Sequence, residues 1–126
     1  MMRTVLGLVM ISNATLFLFG AVQHAGFSLG RFHEPKIIPA VVVETICGLL
    51  LLWASIATLG HFSIGWNVAL IGNLVALGGV LLGMAALAAG RGPRTASNDF
   101  CHRIMLILIG ANVLMLWLAR STLQRN

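Results

Sequence analysis

Residues 45–90 read TICGLLLLWASIATLGHFSIGWNVALIGNLVALGGVLLGMAALAAG, and this stretch holds no Asp, Glu, Lys or Arg. An uncharged run of that length must lie in lipid and be divided by a turn into separate spans. Leu59-Gly60-His61-Phe62-Ser63 supplies the turn as a tight hairpin, which places one span over 36–59 and another over 64–89. The second span ends in Gly90-Arg91-Gly92-Pro93, a stop written in flexible and helix-breaking residues.

Working outward, residues 4–22 are also free of charge, so a first helix is expected over 4–24. Its apolar stretch of about 19 residues exceeds the roughly 7–15 of a signal-peptide core, and no small-x-small cleavage site follows it. An uncleaved helix is the expectation. Pro35 and Pro39 are tolerated in or near the first turn of helix 2. A fourth helix is expected over 100–119, with Ser97, Asn98 and Asp99 offered as N-caps. Each span has the roughly 20 residues needed to cross a hydrocarbon core of about 30 Å. The loops are short, so successive helices must be antiparallel neighbours. The expected fold is all-α: a polytopic membrane protein built as an antiparallel four-transmembrane-helix bundle, one domain over residues 1–126.

Composition agrees with this solvent. Only 9% of the residues are charged, against about 25% in soluble domains. The formal charge of +5 is not a nucleic-acid signal, because the eight Lys and Arg are scattered at the ends of apolar runs rather than gathered in a patch. The membrane face carrying loops 1–2 and 3–4, here side A, holds Arg31, Lys36, Arg91, Arg94 and Arg103. Side B holds Arg3, Arg120, Arg125 and the N-terminal amine, so basic-residue asymmetry leaves the orientation open. Cys47 and Cys101 differ in expected depth by roughly 15 Å, too far for a disulfide, and two free thiols are expected.

Polar groups inside the spans are few, and without water they must find one another. Asn13, Asn73 and Asn112 lie near the centres of helices 1, 3 and 4 and should face inward as polar packing groups, bonding one another or backbone. Ala69, Gly72, Ala76, Gly79, Gly83 and Ala86 recur at spacings of three and four along helix 3. This small-residue stripe should allow close packing against another helix of the chain or a second protomer. Glu44 is the only acidic residue well inside a span, and an ionisable group at that depth is a candidate functional residue. It shares a small or polar face with Ala40, Gly48 and Ser55, so it should look into the bundle.

Cβ atoms lean toward a helix's N-terminus. Glu44, near the start of helix 2, therefore reaches toward side A, and His24, at the end of helix 1, leans back toward the core. Asn13, Gly20 and His24 share one stripe of helix 1. If that stripe faces helix 2, His24 and Glu44 can meet directly or through one water. Pairing and loss of water act in opposite senses on such a pair, so its charge state stays open. Gln23, His33 and His102 gather at the same side, with Glu34, Asp99 and Cys101, and complete the candidate proton or ligand site. His24, His33, Asp99, Cys101 and His102 include metal-ligand types without diagnostic spacing, so no metal site is expected. A haem between His24 and His102 would require facing helices and room between them. No phosphate loop, Ser-His-Asp set or CxxC pair is present.

Residues 16–53, LFLFGAVQHAGFSLGRFHEPKIIPAVVVETICGLLLLW, resemble the DoxX-like group of small four-helix bacterial membrane proteins. The resemblance rests on a first helix ending in glycine and histidine (Gly20, His24), a loop closing on prolines, and Glu44 and Gly48 ahead of a leucine run. It implies a multi-pass protein of the bacterial inner membrane, acting as an accessory or quinone-linked subunit of a membrane oxidoreductase system. The expected function is thus a non-catalytic accessory or assembly subunit, bound to lipid and to a homo-oligomeric or larger membrane complex, with no nucleic-acid partner. No cofactor is predicted from the residues themselves; quinone and haem are the two weighed. Two other readings stay open: a proton-coupled small-molecule transporter using Glu44, and a membrane enzyme with a His/acid site on side A.

Overall fold

Apolar side chains on every face of a helix leave lipid as the surrounding solvent, and the helices form over the expected runs. The computed structural model describes residues 1–28, 30 and 34–123, the last two by backbone alone. Arg31, His33 and Arg125, each expected at a membrane face, lie outside the described residues. The elements are α1 (Met2–His24), α2 (Ile38–Leu59), α3 (Gly65–Ala88) and α4 (Ala96–Leu123), and no strand occurs among the described residues. The shortest has 22 residues, about 33 Å of helix, so all four are long and apolar enough to cross a bilayer. The chain is an integral, multi-pass membrane protein.

Local chemistry sets the ends. Pro39 is the second residue of α2, where its missing N–H costs no helical hydrogen bond. Gly90, at φ +69°, takes the left-handed conformation that closes α3. α4 differs most from expectation, starting four residues before the expected Phe100. Ser97, Asn98 and Asp99 are not its caps. The cap is Thr95, whose Oγ1 accepts the Asn98 backbone N–H at 3.1 Å. The three expected caps therefore sit inside the first turn, where Asp99 accepts from Arg94 Nε at 2.8 Å.

The helices pack in a ring, α1 on α2, α2 on α3, α3 on α4, and α4 back on α1. Leu6, Met10, Phe17, Leu51, Val80, Ile109 and Leu116 fill the centre. Leu8, Ile46, Leu82, Ile107 and Trp117 point outward, as acyl chains require. The stripe on α3 is used within the chain. A Cβ on Gly72 would stand 3.3 Å from the Leu50 carbonyl oxygen of α2, and one on Gly79 would stand 2.8 Å from Cys47 Sγ. Ala76 between them is fully buried.

Polar pairing is partial. Asn112 Nδ2 donates to Asn73 Oδ1 at 2.9 Å, and Asn73 Nδ2 donates to the Ala69 carbonyl at 2.8 Å. Asn13 is also fully buried, but neither atom of its amide has a hydrogen-bond partner among the described residues. Elsewhere the Ser55 hydroxyl donates to the Gly7 carbonyl at 2.9 Å, tying α2 to α1. Cys47 and Cys101 are free thiols.

Candidate functional site

The side-A half of the bundle carries the acidic residues Glu34, Glu44 and Asp99, together with His24 and His102. His24 is the last residue of α1 and Glu44 the seventh of α2, so antiparallel packing brings both to one depth. His24 Nδ1 lies 2.9 Å from Glu44 Oε2, and both side chains are less than a tenth exposed. Gly20, one turn before His24, makes room for the acid. A Cβ there would stand 2.9 Å from Glu44 Oε1, so any larger residue would displace the carboxylate. The predicted stripe of α1 thus faces α2 at Gly20 and His24.

The pair borders a cavity of about 190 Å³. Phe17, Val43, Val80 and Met105 are among its apolar lining residues, and His24, Glu44, Asn98 and His102 are among its polar ones. Pro39, Leu82 and Arg91 are exposed members of its lining, so the cavity reaches the outside between the start of α2 and the end of α3. For scale, a cavity of about 150 Å³ lined by apolar side chains can hold benzene. The space suits one ring with a short substituent.

His102 enters from α4. Its Nδ1 lies 2.9 Å from the Asn98 backbone carbonyl. A carbonyl oxygen only accepts, so Nδ1 carries the proton of this bond and Nε2 is the free nitrogen. That nitrogen sits against α3, only 2.6 Å from where a Cβ on Gly83 would stand. Gly83 is therefore part of the site rather than only of a packing stripe. On α1, Glu44 engages Nδ1 of His24, and His24 Nε2 is buried without a hydrogen-bond partner among the described residues.

A second feature joins the loops at side A. Glu34 is 4% exposed although it belongs to a loop. Its carboxylate accepts from the Thr95 hydroxyl at 2.8 and 2.9 Å, and also from the Ser97 hydroxyl. The acid thus lies over the first turn of α4, where the helix dipole favours negative charge. Loop 1–2 is tied in this way to the cap of α4.

Of the residues expected to form a proton or ligand site, His24, Glu44 and His102 border the same cavity. Gln23 is buried but is not among the residues lining it. His33 lies outside the described residues. No group of three or more His, Cys, Asp or Glu placed to hold a metal occurs among the described residues. Sequence reasoning missed Thr95, the bond from Ser97 to Glu34, and the burial of Glu34. Thr95 is a preferred N-cap residue type just ahead of the helical run, and that was the available signal. Nothing in the order of residues pointed to Glu34, because its partners lie 61 and 63 positions away. In comparison with known proteins, the chain matches no family model, no curated protein and no solved structure.

Proposed function

We propose that this protein is a non-catalytic accessory subunit of a quinone-linked redox complex in the bacterial inner membrane, with the intramembrane cavity as a ligand-holding site. The observation that carries the reading is the buried His24–Glu44 pair at the edge of an apolar space of about 190 Å³. Such a combination, apolar walls with a few convergent polar groups, is the common form of a small-molecule site. The resemblance of residues 16–53 to DoxX-like proteins points the same way. Extraction in mild detergent tests it: a larger complex carrying quinone is expected to copurify. Isolation of the protein alone and quinone-free from membranes in which its partners are intact would overturn the proposal.

Glu44 also supports a second reading, a proton-coupled transporter of small molecules, because an acid buried within a span can exchange a proton for a substrate. Liposomes carrying a pH gradient separate the two. Transport that disappears in Glu44→Gln favours the transporter; a Glu44→Gln variant transporting as well as wild type removes its proton role.

A further inference from the structure

We infer that the cavity selects a single aromatic ring bearing a hydroxyl group, a phenol-type ligand, with His102 Nε2 as the acceptor for its O–H. The inference rests on the cavity being a ligand site, and it adds which chemistry the site prefers. Three observations carry it. First, the Asn98 carbonyl holds the proton of His102 on Nδ1, so the neutral ring offers a lone pair at Nε2. An acceptor in an apolar space selects ligands that donate, because a donor-free ring leaves the nitrogen without a partner.

Second, Glu44 engages His24 Nδ1 and the surrounding protein encloses His24 Nε2, so His102, not His24, is the imidazole left to meet a ligand. A carbonyl or ether oxygen, which only accepts, cannot serve His102. Third, the volume of about 190 Å³ matches one ring plus a substituent, and Gly83 leaves His102 Nε2 uncovered by a side chain at its own position.

The test uses two near-isosteres that differ in the donor: 4-methylphenol and 1,4-dimethylbenzene. Full-length protein in lipid nanodiscs, labelled with ¹⁵N-histidine, is titrated with each, and binding is compared at equal concentration in the bilayer. The phenol is expected to bind about tenfold more tightly, in keeping with one hydrogen bond gained in an apolar site, and to shift the His102 Nε2 resonance. Gly83→Ala, whose new methyl would crowd His102 Nε2, is expected to abolish the shift. His102→Phe keeps a ring at the position and should bind both compounds alike. Equal binding of the two by wild-type protein, or binding of neither, overturns the inference. So does a phenol preference retained in His102→Phe. These outcomes are independent of copurification: a phenol-selective cavity in a protein that carries no quinone complex would sink the redox assignment alone.

Discussion

At the residue scale, the His24–Glu44 contact concentrates the chemistry of the molecule. Two ionisable groups withdrawn from water lose hydration that only a well-placed partner offsets, and removing one leaves the other stranded. Glu44→Leu and His24→Leu are each expected to lower stability in detergent, by about 3 kcal/mol. The double variant should lose clearly less than the two single losses combined, since neither group is then left alone. Thermal unfolding of the three variants measures this, and additivity within about 0.5 kcal/mol would show that the two side chains are not coupled. Asn13 is the contrasting case. Its amide is expected to bond another asparagine or backbone and does neither among the described residues, whereas Asn73 and Asn112 bond each other. A residue's inward direction can be read from periodicity, whereas its partner depends on how neighbouring helices are rotated.

At the scale of the element, small residues decide how closely helices approach. Gly78 and Gly79 are adjacent on α3, but a Cβ at Gly78 would meet nothing within 4 Å, whereas one at Gly79 would crowd Cys47 Sγ at 2.8 Å and Val43 Cγ1 at 3.2 Å. Gly79→Leu is therefore expected to cost about 1–3 kcal/mol by overpacking. Gly78→Leu should stay within about 0.5 kcal/mol of wild type or gain slightly from better helix propensity. Comparing their melting temperatures in one detergent checks the assignment of faces. Equal losses would mean that α3 is rotated differently in the bundle. α4 teaches a related lesson about boundaries. Several capping residues stood in a row from Thr95 to Asp99, and the hydroxyl of Thr95 alone both caps the helix and binds Glu34.

At the scale of the whole molecule, lipid as solvent makes the arrangement of four crossings the dominant constraint. An even number of antiparallel spans puts Met1 and the end of α4 on one membrane face, opposite Glu34 and Thr95. Single cysteines introduced at position 1 and position 121, in a background with Cys47 and Cys101 replaced, should react with a membrane-impermeant thiol reagent from the same side of intact vesicles. One introduced at exposed Pro93 should react only from the other. Labelling of the two ends from opposite faces would remove the four-span topology.

The existence, type and approximate extent of the helices were legible in the sequence because each depends on a local quantity: a run of apolar residues long enough for hydrocarbon, interrupted by glycine, proline and charge. The inward direction of Glu44, and the chance that His24 could reach it, also followed from helical geometry within single elements. Only the tertiary structure decided that Gly83 and His102 face each other across α3 and α4, that Gly72 and Gly79 of the small-residue stripe pack against α2, and that Glu34 is buried on the cap of α4. Those outcomes depend on the relative rotation and depth of helices far apart in the chain. Side-chain packing sets both at once for the whole bundle, and no local pattern encodes them.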